Sequence, residues 1–182
     1  MGPSRLALLG AGLCLGLALG EGLLALFAPQ VRRTPGLWQY DPVLGWAHVP
    51  GAAGRMVSPE FAVDVQISPD GWRDRPVPLE RAGGGWRLAA FGDSFVEGWG
   101  VPLEASVAKQ LEDRLRDSGW PQAEVLNLGI AGYGTDQELL LFEGQGARYR
   151  PDDVIVFFYA NDLWNNASQM GIGSEQGFKP YY

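Results

Sequence analysis

Three short segments in the second half of the chain carry residue types able to run acyl-transfer chemistry. Gly92-Asp93-Ser94 places a hydroxyl beside a glycine that permits a tight exit from the apolar run before it, so the serine and its own backbone N–H can be presented together. Asn127-Leu128-Gly129-Ile130-Ala131-Gly132-Tyr133-Gly134 is rich in glycine, and a backbone N–H there can approach a ligand with no side chain intervening. Tyr159-Ala160-Asn161-Asp162 adds a side-chain amide donor. A hydroxyl nucleophile with backbone and amide donors aimed at one point is what stabilising a tetrahedral oxyanion requires. Gly-Asp-Ser alone also serves as an ordinary turn with a capping side chain, so the weight rests on three segments ending three elements at one edge.

Those elements follow from the patterning. Trp86 to Phe91 reads as a first strand, Val125 to Leu128 as a second, and Asp153 to Tyr159 as a third, whose run Val154-Ile155-Val156-Phe157-Phe158 fits a strand covered on both faces. Between them a helix is expected from Leu103 to Ser118, with Val107, Leu111 and Leu115 on one face, a surface pair Glu112/Arg116, and a stop at Gly119. A second helix, Asp136 to Phe142, is expected to open with a capping box of Thr135 and Glu138. Strand, helix, strand, helix, strand implies an α/β fold with a parallel sheet, in which ligands bind at the carboxyl ends of the strands. Upstream, Phe61, Val63, Val65 and Ile67 alternate with polar residues as a half-buried strand ending at Pro69-Asp70-Gly71, an edge strand or hairpin before the main domain. Pro29 to Gly54 reads as a linker packing a few aromatics.

With Gly92-Asp93-Ser94, the Gly132 segment and Ala160-Asn161-Asp162 in this order and spacing, the chain from about Trp86 to Trp164 resembles the SGNH (GDSL-type) hydrolases, matching the first three of their four sequence blocks. Gly98-Trp99-Gly100-Val101 and Arg150-Pro151-Asp152-Asp153-Val154 are supporting echoes. The resemblance implies a three-layer α/β/α flavodoxin-like fold, Ser94 as nucleophile, and an oxyanion hole of the Ser94 N–H, the Gly132 N–H and the Asn161 amide. It also implies ester hydrolysis on a small-molecule or glycan ester, with neither metal nor organic cofactor. Tyr159 stands where the family usually has glycine and is expected to reshape the pocket beside Asn161. The fourth block, an Asp and a His separated by two residues, is not present and is expected downstream of Tyr182, so that the 182 residues read as a fragment that binds without turnover. With no further strands, the third strand is expected to show an unpaired edge and an uncovered apolar face. Phe178-Lys179-Pro180-Tyr181-Tyr182 reads as an extended segment interrupted midway.

The single histidine, His48, is read as a packing residue of the linker, since no acidic residue lies near it in sequence and Gly45 stands where a partner Asp would be. A net charge of -7 excludes nucleic acid as main partner, and the pairs Arg32/Arg33 and Arg73/Arg75 are expected on solvated loops. One cysteine, Cys14, builds neither a disulfide framework nor a metal site. Leu6 to Ala28, broken only by Glu21, is long enough to cross a bilayer, and Ala18-Leu19-Gly20 also fits signal cleavage. Related proteins often keep such a helix, which favours an anchor with the domain outside the cytoplasm. The expected organisation is residues 1–28 as transmembrane anchor or signal peptide, 29–83 as linker with an accessory strand, and 84–182 as the truncated hydrolase-type domain. Two other functions stay open: a membrane-tethered O-acetyltransferase acting on exported polysaccharide, and a non-catalytic binding module.

Overall fold

The computed structural model describes residues 3–28, 35–81, 83 and 85–167. The expectations for Arg32/Arg33 and for Phe178 to Tyr182 lie outside the described residues. Helix α1 (Pro3–Phe27) is apolar all round and exposed along its length, as a helix with no polar face is when nothing covers it. Its stretch Arg5–Phe27, 23 residues of mean hydropathy 1.8, is long and apolar enough to cross a membrane, a test that a signal sequence near the N-terminus also passes.

Two antiparallel hairpins come next, where the sequence suggests a linker followed by an edge strand or hairpin. Strands β1 (Trp38–Asp41) and β2 (Gly45–His48) pair with Trp38 opposite His48, and β3 (Ala53–Val57) pairs with β4 (Ala62–Gln66). The first turn is made by Asp41, whose Oδ1 accepts the N–H groups of Val43 and Leu44, both at 2.8 Å. Leu44 and Trp46 then enter the main core, so this part of the supposed linker is folded protein. The alternation in β4 holds, with Val63 and Val65 buried beside Leu37, Met56 and Ile67.

The parallel sheet has strand order β6-β5-β7, formed by β5 (Arg87–Gly92), β6 (Glu124–Asn127) and β7 (Asp153–Phe157). Central β5 is buried throughout, and its residues alternate between two clusters as the strand period of two demands. Leu88 and Ala90 face Val125, Val107, Leu111 and Leu115, whereas Ala89 and Phe91 face Leu126, Leu128, Trp46 and Leu141. Helix α3 (Val107–Asp117) supplies the first cover with the apolar face expected. Its start differs. A 3₁₀ turn at Leu103–Ala105 precedes it, and Ser106 caps α3 by accepting the Lys109 N–H, because Ser106 is extended and cannot continue one helix. Helix α4 (Thr135–Gly144) opens on Gly134, whose N–H donates to Gln137 Oε1 at 3.2 Å. Thr135 lies inside the helix and accepts from Asn166, so the box of Thr135 and Glu138 does not form.

Three burial expectations are overturned. Glu112 is not a surface partner of Arg116: its buried carboxylate also meets Arg75 at 2.8 Å and the Val125 N–H at 2.8 Å, tying α3 to β6. Burial pushes this carboxyl up, but the Arg75 hydrogen bond, the Val125 N–H and nearby Lys109 together hold it below its ordinary value. Arg73 is buried, donating to the carbonyls of Glu97, Gly98 and Val101, since the turn after the nucleophile segment turns its carbonyls inward and only a forked donor serves all three. Desolvation lowers its pKa from the usual arginine value. Finally, β7 is not covered on both faces. Val154 and Val156 are 45% and 49% exposed, and no strand pairs its outer edge among the described residues, as the alternative expectation of an uncovered face has it.

Candidate active site

Because β5, β6 and β7 run parallel, their carboxyl ends and the segments that follow them lie on one edge. Ser94 opens the short helix α2 (Ser94–Glu97), with Asp93 as its N-cap: Asp93 Oδ1 accepts the Phe95 N–H at 2.9 Å. Gly92 is required by packing, since a Cβ there would lie 2.4 Å from the Val96 side chain. Asp93 is buried, whereas Ser94 is partly open to solvent.

Asp93 also makes the contact that joins the strand ends. Its Oδ2 accepts from Asn161 Nδ2 at 2.9 Å, so the amide that follows β7 is held against the nucleophile segment. Asn161 belongs to helix α5 (Ala160–Ala167). One helical turn on, Asn165 Nδ2 donates to the carbonyl of Gly132 at 3.0 Å, and Asn166 donates to Thr135 Oγ1 at 2.8 Å. Gly132 is buried with φ 81°, a conformation that favours glycine. Gly129 meets α2 so closely that a Cβ would lie 2.3 Å from the Glu97 backbone nitrogen. The structure thus brings Ser94, Gly132 and Asn161 together through Asp93 and α5. The spacing of Asn161 and Asn165, four residues apart in one helix, puts both amides on one face and is a signal legible in the sequence.

His48 is not in this arrangement. It is buried in β2, with Nδ1 3.1 Å from the Gly71 carbonyl and Nε2 3.4 Å from Glu97 Oε1, so it has an acidic neighbour that linear sequence conceals. It packs inside the fold, in a strand and not in a linker. Tyr159 is half exposed and its ring lies 4.6 Å from that of Phe95, forming an aromatic pair between the residue after Ser94 and the residue before Ala160.

Two buried carboxyls nearby were not singled out. Asp162 accepts the Tyr159 N–H through Oδ2 at 2.9 Å, while Oδ1 has no partner among the described residues; burial, offset by that bond, raises its pKa with Asp93 adding to the rise. Glu138 has neither carboxyl oxygen hydrogen-bonded among the described residues. Desolvation first, then the charges of Asp162, Asp93 and Asp136, push it up to about 8. No group of three or more His, Cys, Asp or Glu able to hold a metal occurs among the described residues.

Residues 90–175 match the GDSL-like Lipase/Acylhydrolase family. The GDSL-like segment therefore begins within β5 and contains all three segments of the candidate site. Two solved structures of AlinE4, an SGNH-hydrolase family esterase, one of them a mutant, are 30% identical to the chain, covering 49% of it and 48% of their own length with a TM-score of 0.39. The chain spans about half the length of these structures. None of the curated proteins compared matches the chain.

Proposed function

We propose that the GDSL-like segment is the nucleophile-bearing part of a serine hydrolase acting on ester bonds, within a three-layer flavodoxin-like SGNH fold. The observation that carries the reading is the hydrogen bond from Asn161 to Asp93, which holds an amide donor beside the serine turn on the sheet edge where substrates enter. In this reading the Ser94 hydroxyl attacks the acyl carbon. The negative charge that develops on the carbonyl oxygen is received by the Ser94 N–H, the Gly132 N–H and Asn161 Nδ2, which carries a second proton besides the one given to Asp93. The hydroxyl proton passes by way of a base to the alcohol, which leaves as the ester C–O bond breaks, and water then hydrolyses the acyl-serine to release the acid and restore Ser94. The base is an imidazole that the family resemblance assigns to an Asp-x-x-His block; His48, buried against Gly71 and Glu97, is not that base. Helix α1 supports a membrane-anchored or exported protein with the domain outside the cytoplasm.

An organophosphonate probe tests the assignment. In the complete enzyme carrying the Asp-x-x-His block it should attach to Ser94 and fail to attach to a Ser94→Ala variant, and labelling that survives the substitution refutes the nucleophile.

A further inference from the structure

The Gly132 N–H belongs to the peptide whose carbonyl is that of Ala131, and a trans peptide holds these two groups in one plane pointing opposite ways. Whatever fixes the Ala131 carbonyl therefore aims the Gly132 N–H. That carbonyl accepts from Trp46 Nε1 at 3.0 Å, both groups being buried. The N–H on the other side of Ala131 donates to Glu97 Oε2 at 2.5 Å, and the other oxygen of Glu97 lies 3.4 Å from His48 Nε2. Trp46 and His48 are alternate residues of β2, so one short strand grips the residue before Gly132 from both sides, directly and through Glu97.

Donor counting defines the second grip. The Gly71 carbonyl only accepts, so His48 Nδ1 carries a proton. A bare Nε2 facing a bare carboxylate oxygen, with side chains 0% and 1% exposed, would set two acceptors against each other out of reach of water. Neither atom has a hydrogen-bond partner among the described residues, so what Glu97 Oε1 meets on this side is the His48 ring at 3.4 Å, a buried polar contact. The other groups facing the pair are Arg73, which donates to the Glu97 carbonyl, and Tyr133, whose hydroxyl bonds the Trp46 carbonyl and which burial raises well above its usual value. Neither titrates between pH 5 and 9.

We infer that Trp46 and the buried contact pair His48/Glu97 are positioning residues that orient the Ala131–Gly132 peptide for oxyanion binding. The inference rests on the assignment of Gly132 to the oxyanion hole and specifies how that donor is aimed. It gives β2, outside the matched segment, a part in the chemistry.

Two readouts on the full chain in detergent separate this from the underlying assignment. The first is the amide ¹⁵N–¹H spectrum of Trp46→Phe and His48→Gln. Phenylalanine keeps an aromatic ring but donates nothing, and glutamine keeps a donor but cannot reach Gly71 and Glu97 at once as the two ring nitrogens do. The Ala131 and Gly132 peaks should shift and exchange with solvent at least tenfold faster in Trp46→Phe, while β5 and β6 peaks stay in place. The Ala131 peak should also shift in His48→Gln, which removes the ring that Glu97 Oε1 meets. The second readout is the rate of Ser94 phosphonylation, where Trp46→Phe should lower kinact at least tenfold with KI unchanged. Unmoved Ala131 and Gly132 peaks in folded variants overturn the inference, as does an unchanged kinact in a chain whose wild type labels. If wild-type Ser94 does not label even in the complete enzyme that carries the Asp-x-x-His block, the hydrolase assignment falls, and the spectra alone still decide what β2 holds.

Discussion

Replacing Glu138 with glutamine should flatten the pH dependence of stability, and the size of the effect follows from its surroundings. The carboxyl is 2% exposed, without a hydrogen-bond partner among the described residues, and held at about 8 by desolvation and by the charges of Asp162, Asp93 and Asp136. Because the folded state binds this proton more tightly than the unfolded chain, its stabilising contribution is complete below the unfolded value near 4.5 and is lost as pH rises through about 8. At about 1.4 kcal/mol per pH unit the ceiling is about 5 kcal/mol, and relaxation with water entry reduces it to roughly 2–3 kcal/mol. Glutamine resembles the protonated acid and does not titrate. Urea unfolding of the chain in detergent, followed by tryptophan fluorescence at half-unit steps from pH 5 to 9, gives the difference between wild type and Glu138→Gln. Any fixed cost of the buried amide shifts the difference by a constant, and the contributions of other groups are common to both proteins and cancel. The variant should gain on wild type steadily across the range, by about 2–3 kcal/mol in all. Parallel profiles would refute the reasoning, because they would show that Glu138 ionises in the folded chain as readily as in water.

Loss of the amide in Asn161→Ala should lower turnover of the complete enzyme by about a hundredfold with KM little changed, as removal of one oxyanion donor does; steady-state kinetics on a p-nitrophenyl ester measures it. Glu112→Ala leaves Arg75 and Lys109 short of a buried partner and the Val125 N–H unpaired, and should cost about 3–5 kcal/mol in urea unfolding at pH 7. Gly129→Ala sets a methyl against the backbone of Glu97, which cannot swing away, and should destabilise by about 1–3 kcal/mol while slowing Ser94 labelling.

The parts of this fold that were legible in sequence are those coded locally. The period-two run of β4, the apolar face of α3 and the three strand-end segments are each contained within a dozen residues, and all appear where the patterning puts them. What escaped depends on partners far along the chain. Strands β1 and β2 are only four residues long, and what stabilises them is the sheet-side core that Leu44 and Trp46 join. Arg73 looks like a loop cation until the carbonyls it binds, 24 to 28 residues later, are brought to it. Glu112 and Glu138 sit on helices where a charged residue normally marks the wet face. Here Glu112 meets Arg75 and the Val125 N–H, while Glu138 is left to carry its proton. The candidate site was legible as three fragments, and the contact from Asn161 to Asp93 that unites them was not, because 68 residues separate the pair.

The grip of β2 on the far side of the domain also governs the order in which the protein is assembled. Trp46 meets Ala131 and Tyr133 across 85 and 87 residues, and Leu44 meets Gln137 across 93. Contacts this distant along the chain slow folding, because the intervening loop must be closed before any of them forms. During synthesis the hairpin leaves the ribosome on the order of 5–20 seconds before its partners exist, at ordinary elongation rates. An isolated two-stranded hairpin is marginally stable in water. For that interval the nascent chain displays Leu44 and Trp46 to solvent just after the apolar α1. The tract most in need of a holding chaperone is therefore this one, well ahead of the serine turn.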